Sequence, residues 1–235
     1  MTKTVVIHQP DFLPHLGFFH RFLHADLWVV YDDVQFLAGS KSWHNRDKIK
    51  TPQGERWLTV DVKKAPQQTM INEICLADDG WEERSLNLLR ENYRKAGFFG
   101  EIFPRLERLY AHDCLKLVDF NLRSITMLME MFDIKIETVS AAVLNAAGAK
   151  SGRLVDICKK VAATEYLTGS GSRAYLEEAL FEAEGIKVVW QDFKQPVYPQ
   201  LHGGFIPHLS CIDMFFNCGI AKSRALLNKT RTVAA

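Results

Sequence analysis

Four polar residues crowd the stretch "IHQPDFLPH": His8, Gln9, Asp11 and His15, with Pro10 and Pro14 set between them. Imidazole and carboxylate groups in a proline-restrained segment can hold a proton, an anion or a substrate amine, because proline limits the backbone that carries them. A histidine at a buried strand end also serves as a core residue bonded to the backbone, so both readings stand for His8. His20 and His24 have the i,i+4 spacing of zinc ligands, but no carboxylate completes an HExxH pattern.

Three other segments could supply partners. Gly169, Ser170, Gly171 and Ser172 follow a strand-like run and precede a helical pattern over residues 173–184, so their amides could cradle a phosphate or carboxylate, or simply make a turn. Asp32 and Asp33 end a second strand and face opposite ways under period-2 geometry, so at most one enters a given pocket. There it could bind a metal, a ribose hydroxyl or an amine. "KSWHNRDKIK" is the one local basic patch, and Arg46 beside Asn45 could clamp an anion. Nearer the end, Tyr198, Gln200, His202 and His208 occupy a loop long enough to cover a pocket, hinged at Gly203 and Gly204. Ser210 and Asp213 read as a variant capping box.

The elements that must position these groups follow from hydrophobic pattern. Residues 4–8 and 27–32 are short apolar runs suited to buried parallel strands, and Leu16, Phe19, Phe22 and Leu23 fall at helical spacing between them. This is a βαβ unit. Residues 56–62 and 72–76 read as further strands, the first with the alternation of an antiparallel pair. Residues 81–132 read as an inserted helical bundle or lid of three segments, broken near Gly97 and Pro104. Residues 134–139 return to strand and 152–163 to helix, and a second βαβ unit follows. The expected fold is α/β, a Rossmann-like parallel sheet in one body over residues 1–235, with a small antiparallel pair. Right-handed crossovers bring the carboxyl ends of parallel strands to one edge. The loops at 8–14, 32–35 and 169–172 should open there together.

Composition narrows the partners. The chain has 235 residues, 47% apolar and 24% charged, with a formal charge of +1, which gives no general attraction for nucleic acid or anionic membranes. No run approaches a membrane span and no signal-peptide pattern opens the chain, so a cytoplasmic protein is expected. Five cysteines without CxxC spacing read as reduced core residues, and no metal site is expected from them.

The segments "IHQPDFLPHLGFF", "YDDVQF", "SWHNRDKIK", "WLTVDV", "YLTGSGSRAYL", "VYPQ" and "FIPHLSCIDMFFNCG" resemble, in order, the WbqC-like protein family across nearly the whole chain. The resemblance implies a bacterial protein of surface-polysaccharide (O-antigen) biosynthesis, with transfer of glycine or another acyl group to an amino sugar as the implied activity. It marks His8, Gln9, Pro10, Asp33, Gln35, Trp43, Asn45, Arg46, Ser210, Asp213 and Asn217 as motif positions. The chain departs at His15, where the family more usually has tryptophan. A looser likeness joins "HLGF", His15 to Phe18, to HxGH nucleotidyltransferases and pantothenate-synthetase-like ligases, whose two histidines stabilise nucleotide phosphates. Phe18 stands where the second histidine would be.

Two function classes follow. One is an enzyme binding a nucleotide such as ATP, or a nucleotide-sugar, with magnesium as an accompanying ion, that activates or transfers a small acyl group. Its small-molecule substrate would bear a phosphate or carboxylate. His8 and Gln9 would be catalytic with Asp33, Asn45 and Arg46; Gly169 to Ser172 would hold the nucleotide; Asp11, Gln35, Trp43, Tyr198 and Gln200 would contact substrate. The other is a non-catalytic member of a biosynthetic complex, with Phe12 and Trp43 as exposed anchors. The first requires His8, Arg46 and the glycine loop to share one crevice.

Overall fold

The computed structural model describes residues 2–37, 39 and 42–230; Lys41 of the basic segment lies outside them. Five parallel strands form the central sheet: β1 (Thr4–His8), β2 (Leu27–Val30), β5 (Glu137–Ser140), β6 (Glu165–Thr168) and β7 (Lys187–Trp190). Their spatial order is β5-β2-β1-β6-β7. The chain therefore moves outward from β1 in one direction and then, through β6, in the other. This reversal between β1 and β6 is the topological switch point at which α/β sheets open a crevice.

Side-chain alternation splits the strands between two cores. Val6, Trp28 and Val30 join the larger cluster, while Val5, Ile7, Leu27 and Val29 join the smaller. The larger is built with α1 (Leu16–Phe22), α2 (Trp81–Tyr93), α3 (Phe99–Tyr110), α4 (Leu117–Phe132) and α8 (Cys211–Lys229). The smaller takes α5 (Ala141–Leu144), α6 (Lys150–Lys160) and α7 (Glu178–Glu182). Alpha/beta architecture with a parallel sheet and a separate antiparallel pair is thus established.

Several local expectations are corrected. The antiparallel partner of β4 (Gly54–Thr59) is β3 (Arg46–Thr51), paired from Arg46 opposite Thr59 to Thr51 opposite Gly54. Residues 72–76 form no strand; a 3₁₀ turn at Ile71–Glu73 and single bridges at Cys75 and Leu76 take their place. Pro104 sits inside α3, and the break falls after Tyr110 instead. The helix expected over 173–184 shrinks to α7, preceded by a 3₁₀ turn at Ser170–Ser172. Among the cysteines, Cys158, Cys211 and Cys218 are buried, whereas Cys75 is exposed.

Candidate active site at the sheet edge

A cleft of about 1380 Å³ opens where β1 and β6 end. His8, Gln9, Asp11 and His15 line it from the β1 loop, Gly169 to Ser172 from the β6 loop, and Trp43 and Asp47 from the segment entering and starting β3. Gln191, Asp192, Phe193 and His208 contribute from the long C-terminal loop. None of residues 81–132 lines it.

The β1 loop is pinned from both sides. Asn121, wholly buried in α4, donates through Nδ2 to the carbonyls of Pro10 at 2.7 Å and His44 at 2.6 Å. The Phe12 amide donates to the Trp43 carbonyl at 3.0 Å. Ser210 occupies the N-cap position of α8 but makes no side-chain cap bond, so the capping box is not formed; its hydroxyl instead donates to the Leu13 carbonyl at 2.6 Å. Leu13 has φ of 39°, a conformation these bonds impose on a buried apolar residue.

Hydrogen bonds fix opposite tautomers on the two histidines. His8 Nδ1 lies 2.9 Å from the Gln9 carbonyl, which can only accept, so Nδ1 carries the proton and Nε2 the lone pair. His15 Nδ1 instead accepts from the Gly17 amide at 3.1 Å, so its proton sits on Nε2. Gly17 is the residue that allows this: a Cβ there would stand 2.7 Å from His15 Cε1. Phe18, at the position of the second HxGH histidine, is buried and packs edge-on to His8 at 5.2 Å between ring centroids.

Charge in the cleft is organised around Asp11 and Arg21. Asp11 Oδ2 is 3.7 Å from His8 Nδ1, and Oδ1 is 3.3 Å from His44 Nδ1, so one carboxylate serves two imidazoles. Burial pushes the Asp11 carboxyl up, but His8, His44 and Arg21 outweigh it and hold it below its usual range. Burial, then the Arg21 charge, lowers His8 to about 4 and His15 to about 4. Asp47, 2% exposed, is raised well above the usual carboxyl range, first by burial and further by the Asp11 charge, with the Lys48 amide opposing.

These lowered imidazole values set a pH dependence. An unfolded histidine titrates near 6.5, so as pH falls from 6.5 toward 4 the unfolded chain binds protons that the folded one refuses. Stability is full above that window and is lost through it. Thermal melts across the interval should show a falling transition temperature, and His8→Gln with His15→Gln should flatten the fall.

Several residues expected in the site lie elsewhere. The Arg46 guanidinium bonds the Gly39 carbonyl and stacks over Trp57 at 4.3 Å, outside the cleft. Asn45 donates to the Val60 carbonyl and Gln35 to that of Gln67. Asp33 is ion-paired with Arg153, and Asp32 accepts from the Ser140 hydroxyl at 2.9 Å. Tyr198 and Gln200 both donate to the buried Asp213, so the C-terminal loop is tied down where a hinged lid was expected. His20 cannot ligate zinc as placed: Nε2 donates to the Thr230 carbonyl and Nδ1 faces Gln191 Nε2, each at 3.0 Å. Trp43 is 41% exposed on the cleft rim, but Phe12 is fully buried.

Sequence reasoning missed Arg21, His44 and Asp47 as members of this group. Arg21 had a visible signal: a cation in a helix, "LGFFHRF", with apolar residues on every face. In the structure all seven residues of α1 are buried, the arginine included.

The chain is 33% identical over 222 residues to "Uncharacterized protein Rv1507c" of Mycobacterium tuberculosis (strain ATCC 25618 / H37Rv), covering 92% of this chain and 94% of that protein. No solved structure gives a significant match. The sequence profile of the WbqC-like protein family matches residues 9–225, which takes in the β1 loop, the glycine loop and the start of α8 that anchors both Leu13 and the C-terminal loop. The chain belongs to the WbqC-like protein family.

Proposed function

We propose that the protein is an enzyme that binds a nucleotide or nucleotide-sugar in the sheet-edge cleft and activates or transfers a small acyl or aminoacyl group. The setting of surface-polysaccharide biosynthesis is drawn from the family resemblance, and the cytoplasmic location from the sequence pattern. The observation that carries the enzymatic reading is His8: its Nδ1–H is committed to the Gln9 carbonyl, Asp11 stands 3.7 Å behind, and the ring lines the cleft. Nε2 is then free to take a proton from an attacking amine or hydroxyl while Asp11 stabilises the imidazolium that forms. His15, with its proton on Nε2, offers a donor to charge developing on oxygen. Arg21 depresses His8 in the free protein, so an anion that neutralises Arg21 would raise the basicity of His8 when the site fills.

Pyrophosphate exchange with ATP across a panel of amino acids, together with transfer assays from sugar nucleotides, tests this reading. Activity should fall about 10²-fold or more in His8→Ala. A His8→Ala protein with full activity would remove the base. Failure of ATP, UDP-sugars and acyl donors alike to raise the melting temperature at millimolar concentration would remove the reading altogether. The non-catalytic alternative loses one of its two aromatic anchors, since Phe12 is fully enclosed.

A further inference from the structure

Arg21 is 6% exposed, and its side chain makes no hydrogen bond or ion pair with any described residue; Nε is completely enclosed and unpartnered. A guanidinium taken out of water without a partner is among the costliest groups a protein can bury, so such groups persist where something else satisfies them. The surroundings offer little. Phe18 presents its ring face at 5.6 Å, and Asp11, the nearby carboxylate, is already shared by His8 and His44. On its other side Arg21 meets the glycine loop: Nη1 lies 3.7 Å from where a Cβ on Gly169 would be.

That loop offers solvent-facing donors of its own. In the 3₁₀ turn the amides of Ser172 and Arg173 are bonded to the carbonyls of Gly169 and Ser170, while those of Ser170 and Gly171 have no acceptor among the described residues. Gln191 Oε1 lies 3.9 Å from the Gly169 Cβ position. Charged residues on the remaining walls are Lys150 and Arg173 against Asp192 and Glu177, with Asp47 alongside.

We propose that Arg21, the Ser170 and Gly171 amides and the His15 Nε2–H form a subsite for a pyrophosphate-type group, the phosphate chain of the ligand. This rests on the reading of the cleft as a ligand site and names which part of the ligand goes where. A carboxylate has two oxygens, which the Arg21 fork alone would occupy, leaving two amides and an imidazole N–H unmet. Adjacent phosphoryl groups bring enough oxygens for all of them, and backbone amides in a glycine turn are suited to approach them closely.

The test is calorimetric titration of the full chain with sodium pyrophosphate, and separately with acetate, paired with melting curves. The wild-type protein should bind pyrophosphate and not acetate. Arg21→Met should bind pyrophosphate about ten-fold or more weakly, yet melt at a higher temperature when free, because methionine fills the space without an unpaired charge. Arg21→Lys keeps the charge but loses the fork, so it should bind with intermediate affinity; it decides the matter if Arg21→Met does not fold. The subsite is overturned if the wild type fails to bind pyrophosphate, if acetate binds as well, or if Arg21→Met melts lower with undiminished pyrophosphate affinity. Pyrophosphate binding without exchange or transfer on any substrate would sink the enzymatic reading and leave the subsite standing.

Discussion

Replacing Asp213 by alanine should destabilise the protein by about 3–5 kcal/mol, the range for removing one partner from a buried charged network. Asp213 is fully buried in the first turn of α8 and accepts from Tyr93 Oη at 2.8 Å, Tyr198 Oη at 2.9 Å and Gln200 Nε2 at 2.8 Å. Alanine would leave two buried phenols without their acceptor, each unmet group costing about 1–3 kcal/mol less whatever relaxation recovers, while the part-buried Gln200 amide keeps its bond to the Ile206 carbonyl. The damage would spread, because Tyr93 Oη also accepts from the Lys50 amide at 3.0 Å. Urea unfolding of the ligand-free protein reads the loss as a lower midpoint, and Asp213→Asn, which keeps one acceptor, should lose less. A midpoint unchanged in Asp213→Ala would mean that the phenols find other acceptors.

The second large effect is expected at Gly219. The residue interrupts α8 with φ 71° and ψ 171°, a backbone region that essentially only glycine occupies. A Cβ there would lie 2.5 Å from Phe98 Cδ1 and 2.6 Å from Cε1. The Phe98 backbone is held, since its amide donates to the Phe216 carbonyl at 3.2 Å, but its ring is 40% exposed and can turn toward solvent. Backbone strain of about 1–3 kcal/mol is the larger cause, and turning the partly exposed ring aside adds about 1 kcal/mol, the low end of the overpacking range. Gly219→Ala should therefore lose about 2–4 kcal/mol, seen as a melting temperature lower by roughly 5–15 °C in a chain of this size. Phe98→Ala combined with Gly219→Ala should recover the steric part and not the strain, which separates the two causes.

The parallel sheet was legible through β1 and β2, which are apolar on both faces: residues 5–7 and 27–30 are buried, whereas the edge strands β5 and β7 are only half-buried or exposed. The hairpin partner was not. "RDKIKT" reads as an exposed basic segment, yet Asp47 and Lys50 within it are 2% and 1% exposed: Asp47 Oδ1 accepts from the neighbouring Lys48 amide, and the Lys50 ammonium is satisfied by Gln200 and other groups far away in sequence. The same blindness explains the candidate residues. His8, Asp11 and the glycine loop stand at strand ends, where topology alone brings them together. Arg46 reads as the guanidinium of the site from its basic neighbours; the apolar run around Arg21 is the local sign that this second cation is buried, but it does not tell that the side chain is held against Gly169. Tyr198 and Gln200 looked like a movable cover, since their acceptor lies more than ten residues on and in a helix.

Lys50 gives that C-terminal loop a particular character. Its ammonium donates to Gln200 Oε1 at 3.1 Å and to the carbonyls of Gly203 and Gly204, while Asn217 Oδ1 accepts from the Leu201 amide at 3.0 Å. The stretch leading from Phe193 to His208 is thus cross-tied to β3 and α8 before anything enters the cleft. A ligand arriving there meets a wall whose freedom was already surrendered when the chain folded, so little ordering entropy is left to oppose association and a larger share of each new contact survives as affinity.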